Sequence, residues 1–216
     1  MRKRVRAGST PFPVLLVLLA AVVPALLTAC SSAAPRPAAL TATRQVHVSP
    51  VSATGSPVRG FRITQTVPGA SCEAGSEAIG RAYRCVAGNS LFDPCWAVHA
   101  AAPTVLCLPF PWSVTDVRLE VGAPLSAIPA EPVTNEPWGV ELASGQRCVL
   151  LQGAHSQFAG RVIDYYCNAG LSLLRGLSRA APVWRAASVT AAAGKQALGP
   201  SEQIKIAWFG SPDSYF

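Results

Sequence analysis

Six cysteines constrain the fold of this chain more than any other feature, because each disulfide holds two distant backbone positions side by side. They are Cys72, Cys85, Cys95, Cys107, Cys148 and Cys167. An even number of cysteines in an exported chain is typical of disulfide bonding. Separations of 13, 12 and 19 residues between successive members favour the pairs Cys72 with Cys85, Cys95 with Cys107, and Cys148 with Cys167. Zinc is the alternative, but no two of these cysteines stand in the Cys-x-x-Cys spacing of a metal site.

The first residues of the chain predict export. Arg2 to Arg6 form a positively charged segment, and Val14 to Leu27 form an apolar run of fourteen residues. That run is too short to cross a bilayer comfortably, so we expect a signal peptide over residues 1–29.

Small residues precede a cysteine at the end of this segment. Leu27-Thr28-Ala29-Cys30 resembles the lipobox of bacterial lipoproteins. The resemblance implies a diacylglycerol thioether on Cys30, cleavage before it, and acylation of the new amino group, for example with palmitate. Two or three acyl chains anchor a protein stably, whereas one chain binds only marginally. We therefore expect a lipid anchor on the extracytoplasmic face of the cell membrane. An ordinary cleaved signal and an uncleaved anchor helix are the alternatives.

Residues 30–59 predict a flexible tether between the lipidated cysteine and the folded part. Ser31 to Pro57 is rich in Ala, Ser, Thr and Pro, has no acidic residue, and shows no helical or strand periodicity. As a coil it would span roughly 30 Å. We expect no role for His47, which lies within it, and we place the folded domain at residues 60–216.

The rest of the chain predicts a mainly β domain. Half of the residues are hydrophobic and 13% are charged, which permits a sizeable core. Apolar and polar residues alternate at 117–121 and 138–142, and Ser144-Gly145 then predicts a hairpin to 147–151. We expect an antiparallel sandwich or barrel-like domain with little helix beyond the signal peptide, apart from a turn or two at 76–82. Further strand candidates are 105–108, 161–167, 183–189 and 203–209.

Charge argues against a nucleic-acid partner. Eighteen Lys and Arg against eleven Asp and Glu give +7, but four of the basic residues lie in the signal peptide, which leaves 14 − 11 = +3. The remaining charge is uneven. Residues 60–137 carry 4 − 7 = −3 and residues 138–216 carry 7 − 4 = +3, which suggests two small subdomains with a boundary near 130–137.

Sequence motifs of common enzymes are absent. The chain has no Gly-x-Ser-x-Gly elbow, His-Glu-x-x-His, phosphate-binding loop or dinucleotide fingerprint. A nucleophile triad would have to recruit His99 or His155 together with Asp93 or Asp164. Glu141 and Asp164 could form the carboxylate pair of a glycosidase, although two solvated strand faces are the simpler interpretation. We expect no cofactor and no bound metal.

Asp93-Pro94-Cys95-Trp96 is more specific as a structural motif. An aspartate before proline can accept hydrogen bonds from backbone amides in a turn. Trp96 is placed to pack on the nearby disulfide. We interpret the motif as a determinant of the fold.

A wider pattern resembles a group of secreted proteins and lipoproteins of actinobacteria to which no activity is assigned. The resemblance covers most of residues 72–209 and implies an extracytoplasmic disulfide-bonded domain, without transferring any catalytic residue. It rests on Arg84-Cys85, Asp93 to Trp96, Pro137-Trp138 to Leu142, Arg147-Cys148, Gly160 with Tyr166-Cys167, Pro182 to Trp184, and Ala207-Trp208.

These observations favour a non-catalytic binding or interaction module that meets a cell-wall glycan or an envelope protein. Flat aromatic rings suit sugar faces, and Arg suits carboxylates or phosphates. The candidate binding residues are Trp138, Tyr165, Tyr166, Trp184, Arg185 and Trp208. Packing in the core is the competing interpretation of the tryptophans. An envelope hydrolase with a non-standard active site and a structural or assembly lipoprotein are the alternative functions.

Overall fold

The computed structural model describes residues 40–99, 102–129, 132, 134–192 and 194–211. They belong to one compact unit that begins at Ala39. The predicted signal peptide, Cys30 and the first part of the predicted tether lie outside the described residues. Within the described ranges, no helix is long and apolar enough to cross a membrane.

The described chain is mainly β, as the sequence predicts. A single 3-10 turn (Asn168–Gly170) interrupts the strands. The strands are β1 (Arg44–Val48), β2 (Arg62–Gly75), β3 (Tyr83–Ala87), β4 (Ser90–Val98), β5 (Thr104–Cys107), β6 (Thr115–Val121), β7 (Gly139–Leu142), β8 (Arg147–Leu150), β9 (Gln157–Phe158), β10 (Arg161–Cys167), β11 (Leu171–Leu174), β12 (Arg185–Ala192) and β13 (Lys195–Gly210).

Strands β2 to β6 form a small closed barrel in sequence order. Neighbouring strands are antiparallel except at the closure, where β2 and β6 pair in parallel. Most of the buried side chains inside this barrel are small or sulfur-containing: Ala70, Cys72, Cys85, Ala87, Cys95, Val105, Cys107 and Leu119. We call this region the barrel.

The remaining strands form an eight-stranded sheet with the order β1-β13-β12-β11-β10-β8-β7, and β9 pairs with β10. Because β7 also pairs with β13, the path from β7 to β13 closes into a ring. Strand β1 lies outside this ring and pairs in parallel with the end of β13. We call this region the sheet.

A shared apolar core joins the barrel to the sheet. Trp96, Leu106 and Leu108 from the barrel side pack with Trp138 and Leu173 from the sheet side. Two glycines permit the close approach. A Cβ at Gly139 would lie 2.7 Å from Pro111, and a Cβ at Gly210 would overlap the side chain of Ile79.

The predicted disulfide pairing is confirmed. Cys72 bonds Cys85, Cys95 bonds Cys107, and Cys148 bonds Cys167. Each bond connects neighbouring strands, and two of the pairs are directly opposite each other in the strand register. Nearest-neighbour pairing therefore follows from hairpin-like topology, because strands that are close in sequence are also close in the sheet.

Most predicted strands are present, and the Ser144-Gly145 hairpin joins β7 to β8 with Gly145 at a φ of +85°. The sequence pattern did not identify β2, β3, β4 or β11. The predicted helical turn at 76–82 is wrong, since these residues form bends and a turn. Trp96 does not share the cluster of the Cys95–Cys107 disulfide, because adjacent residues of β4 point to opposite faces.

The predicted tether is wrong for its second half, because residues 44–48 form β1. Thr43 is buried and its hydroxyl donates to the carbonyl of Ile204 at 2.6 Å. Val51 is 1% exposed and belongs to the shared core. The ring of His47 stacks on Phe209 and lies 3.0 Å from the Gly210 carbonyl. The polar side chains of residues 44–48 give no strand pattern in the sequence, because this strand is stabilised by backbone pairing with β13.

Candidate functional site

A cleft of about 350 Å³ lies where the barrel meets the sheet. Glu77, between β2 and β3, lines it from the barrel. Strand β8, the loop between β8 and β9, strand β10 and Arg175 directly after β11 line it from the sheet. The lining residues are Glu77, Thr134, Leu150, Leu151, Gly153, His155, Asp164 and Arg175. The cleft therefore combines carboxylates, an imidazole, a guanidinium and a hydroxyl with leucine side chains.

His155 bridges the two sides of the cleft. Its Nδ1 lies 3.2 Å from Oδ1 of Asp164 and 3.1 Å from the carbonyl of Ile163. Because a carbonyl accepts and cannot donate, Nδ1 carries the proton and donates to these oxygens. Nε2 then faces Oε2 of Glu77 at 3.8 Å. The imidazole therefore lies between the carboxylates of Asp164 and Glu77.

Asp164 is buried by an irregularity in β10. The register shifts between Ile163 and Tyr165, so that residues 163, 164 and 165 are all buried instead of alternating. Nε of Arg175 donates to both carboxylate oxygens of Asp164, at 3.1 and 2.8 Å. This hydrogen bond to Asp164 raises the pKa of Arg175. The irregularity thus presents to His155 a carboxylate whose position is fixed by Arg175.

Glu77 is held by a second group of charges on the barrel side. Its Oε1 contacts the guanidinium of Arg84 and accepts from the backbone N–H of Gly153 at 3.3 Å. Arg84 also donates to Asp93 at 3.2 Å. Burial raises the pKa of Asp93, although hydrogen bonds from Ser76, the Glu77 backbone and Arg84 act in the opposite direction. Asp93 lies within β4 and not in the predicted turn. It accepts from the backbone N–H of the distant Glu77 at 3.3 Å and thereby positions Glu77.

The cleft unites one of the predicted triad pairs and not the other. His155 and Asp164 are in contact, whereas His99 follows β4 and does not line the cleft.

Glu141 and Asp164 are not solvated: both are buried, in separate charge groups. Glu141 accepts from Arg147 and Lys205. Burial acts to raise the pKa of Glu141, but these two cations hold it below its usual value.

Trp138 and Tyr165 are core residues, so both are wrong as binding candidates. Neither side chain is exposed, and Tyr165 donates from its hydroxyl to the carbonyl of Pro137 at 2.7 Å. The rings of Trp138 and Trp96 pack edge to face at 5.9 Å. Strand alternation turns these large rings inward, and sequence alone did not show which face of each strand is covered.

Trp208 is 6% exposed and belongs to an aromatic group that the sequence analysis missed. Its ring packs edge to face on Trp112, which stacks on the exposed Phe110. The guanidinium of Arg147 lies 5.5 Å from the Trp112 ring centre and 5.9 Å from that of Trp208. Trp112 lies in the loop between β5 and β6 and also approaches Gly139 of β7. This aromatic group therefore packs that loop against the sheet.

The other three candidates lie at the surface in different places. Tyr166 is 49% exposed, and its hydroxyl lies 3.3 Å from that of Ser156. Ser156 directly follows His155 in the sequence. Arg185 is exposed at the start of β12, and Trp184 is half-buried beside it. The six predicted residues therefore do not form one site.

Sequence reasoning missed Glu77, Thr134 and Arg175 as lining residues. They come from three segments that meet only in the folded protein, and no local motif marks them. Among the described residues, no group of three His, Cys, Asp or Glu side chains is arranged to hold a metal ion.

Comparison with protein-family models, with curated proteins and with solved structures finds no match to this chain.

Proposed function

We propose that this chain is a lipoprotein of the cell envelope, anchored to the extracytoplasmic face of the cell membrane through Cys30. Its folded part is a binding module that holds a neutral, hydroxyl-rich ligand such as a segment of wall glycan in the cleft around His155. The observation that carries the proposal is the composition of this cleft, in which acids, bases and a hydroxyl surround a partly apolar space.

Charge pairing within the cleft favours a neutral ligand. Glu77 contacts Arg84, and Asp164 contacts Arg175. A charged ligand would have to compete with these internal partners, so its net electrostatic gain would be small. Sugar hydroxyls both donate and accept, and they can use the remaining lone pairs and N–H groups without breaking the ion pairs.

The size and lining of the cleft also suit a sugar. Small-molecule sites measure roughly 300 to 1,000 Å³ and combine apolar walls with a few polar groups. Leu150 and Leu151 supply apolar surface, and Thr134 supplies a hydroxyl. The two carboxylates in the cleft and the small net charge of the mature chain both argue against nucleic acid.

Binding is tested by calorimetry with soluble wall-glycan oligosaccharides. Replacing Arg175 by Gln, or His155 by Ala, should weaken binding at least tenfold, because each change removes a polar group that faces the cleft. Arg161→Gln is the matched control, since Arg161 is exposed on the same strand as Asp164 but does not line the cleft. Equal affinities in all four proteins, with unchanged circular dichroism, would refute the site.

Membrane anchorage is tested separately. Cys30→Ser should leave an unprocessed precursor in a blot of membrane fractions, because the thiol that receives the lipid is missing. Normal processing of this variant and its normal retention in the membrane fraction would contradict the lipid anchor.

A hydrolase of the same ligand is the second candidate, and the orientation of His155 favours it. Nδ1 donates to Asp164, so Nε2 is placed to take a proton from a water molecule that attacks the bound ligand. The leaving group would then receive that proton from His155. The two functions differ in one measurement: mass spectrometry of the glycan after incubation shows intact ligand for a binding module and cleaved ligand for a hydrolase.

A further inference from the structure

Residues 179–185 form an exposed loop with an apolar middle and an arginine at each end. Its sequence is Arg-Ala-Ala-Pro-Val-Trp-Arg. Ala180, Ala181 and Pro182 are exposed, whereas Val183 and Trp184 are half-buried. We call this segment the Trp184 loop.

The chain that leads from Cys30 reaches the folded unit at this loop. The backbone N–H of Thr43 donates to the carbonyl of Pro182 at 2.8 Å. The backbone N–H of Trp184 in turn donates to the Thr43 hydroxyl at 2.8 Å. These bonds fix Thr43 and the Trp184 loop side by side.

Only twelve residues, 31–42, separate Cys30 from Thr43. Fully extended, they reach about 45 Å, and as a coil they span roughly 20 Å. A segment of this length limits the distance of Thr43 from a bilayer in which the Cys30 lipids are inserted. The side of the molecule that carries Thr43 is therefore the side that meets the membrane most often.

The chemistry of this side suits a phospholipid surface. Trp184 lies under the guanidinium of Arg179 at 4.9 Å and packs edge to face with Phe209 at 6.3 Å. Tryptophan is enriched at membrane interfaces, where the ring is apolar and its N–H meets polar groups. Arg179 is paired with Glu136. Arg44 and Arg185 are exposed, and neither forms an ion pair with a described residue.

We propose that the Trp184 loop, together with Arg44, contacts the anionic phospholipid headgroups of the membrane that holds the anchor. Trp184 enters the headgroup region, and Arg44 and Arg185 bind the phosphates. This inference rests on the anchorage at Cys30 that is part of the proposed function, and it is independent of any ligand in the cleft.

The contact is tested with the lipidated mature protein in vesicles of phosphatidylglycerol and phosphatidylcholine whose acyl chains are brominated near the headgroup. Bromine quenches nearby tryptophans, so a quenched fraction of the fluorescence is expected. Trp184→Phe should remove most of that fraction. Trp112→Phe is the matched control and should keep the quenched fraction, because Trp112 packs between the barrel and the sheet. Quenching that is the same in Trp184→Phe as in the parent protein overturns the proposal.

The charges are tested with the unlipidated chain that begins at Ser31, since residues from Ala39 onward form one compact unit. This chain should sediment with phosphatidylglycerol vesicles and not with pure phosphatidylcholine. Arg185→Gln should lower the partition coefficient about fivefold, whereas Arg161→Gln should not. Equal sedimentation with both vesicle types overturns the contact.

Failure of the proposed function leaves a different signature. A mature chain without lipid on Cys30 would remove the anchor, and with it the basis of the inference. Loss of glycan binding alone would leave the quenching by brominated lipid unchanged.

Discussion

The barrel and the sheet bury different kinds of side chain to reach closed arrangements of strands. Four of the eight buried residues inside the barrel are cysteines, and the others are Ala70, Ala87, Val105 and Leu119. The sheet has one disulfide and packs large side chains such as Trp138, Tyr165 and Leu173. Disulfides thus supply in the barrel part of the stability that large buried side chains supply in the sheet. This is expected where a region is too small to bury many large residues.

One buried carboxylate of the barrel differs from those of the sheet. In the sheet, Glu141 and Asp164 each accept from a cation within 3.0 Å. In the barrel, Asp116 is 1% exposed, and its Oδ1 has no hydrogen-bond partner among the described residues. Burial raises the pKa of Asp116 to about 6. The sheet pairs both of these buried carboxylates with cations. The barrel pairs Asp93 with Arg84 but leaves Asp116 without a cation, and the charge of Asp116 opposes folding at neutral pH.

The largest expected effect comes from removing both barrel disulfides. Replacing Cys72, Cys85, Cys95 and Cys107 by Ala should cost about 6 kcal/mol of stability, because each closed loop contributes roughly 3 kcal/mol. Replacing Cys148 and Cys167 should cost about 3 kcal/mol. Hydrogen exchange should then show protection lost over residues 62–121 in the first variant. Equal protection of the barrel in both variants would show that its apolar residues suffice.

Deleting β1 should give the next largest effect. A chain that begins at Gly60 loses the pairing of β1 with β13 and the burial of Val51, so we expect a loss of about 2 to 4 kcal/mol. A chain that begins at Leu40 keeps every described residue and is the control. Thermal unfolding of the two shortened chains measures the difference. Identical melting temperatures would show that residues 40–59 add no stability, as expected of a tether.

Asp116→Asn should stabilise the protein in a pH-dependent way. A carboxyl whose pKa rises from 3.8 to about 6 on folding binds its proton more tightly in the folded state. The free energy of unfolding of the parent protein therefore falls as the pH rises from about 4 through 6. Above this range the uncharged amide of the variant avoids the cost, and we expect a gain of about 3 kcal/mol. At acid pH the two proteins should be equally stable.

Urea unfolding at pH 4 and pH 8 measures this gain. Glu120→Gln on the same strand is the control, because Glu120 is exposed. A gain that is the same at both pH values would assign the effect to something other than the charge.

The smallest expected effect is at the contact between the two regions. Gly139→Ala places a methyl group 2.7 Å from Pro111 and 3.1 Å from Trp112, and should cost about 1 kcal/mol through overpacking. Gly122→Ala is the control, since nothing lies within 4 Å of its added Cβ. Chemical denaturation compares the two. A neutral Gly139→Ala would mean that the loop carrying Trp112 moves without cost.

The sequence by itself determined the features that depend on neighbouring residues. Period-two alternation predicted β6 and β7, and Ser144-Gly145 predicted the hairpin between β7 and β8. The spacing of the six cysteines predicted the disulfide pairs, because sequence neighbours in antiparallel strands are also spatial neighbours.

Only the tertiary structure decided the features that depend on what covers each strand. Residues 44–48 look like a polar linker, yet they form a strand because the end of β13 offers an unpaired edge. The sequence could not show that Trp138 and Tyr165 are buried, since alternation does not tell which face is covered. The cleft around His155 joins residues as far apart as Glu77 and Arg175, and only the packing of the barrel against the sheet brings them together.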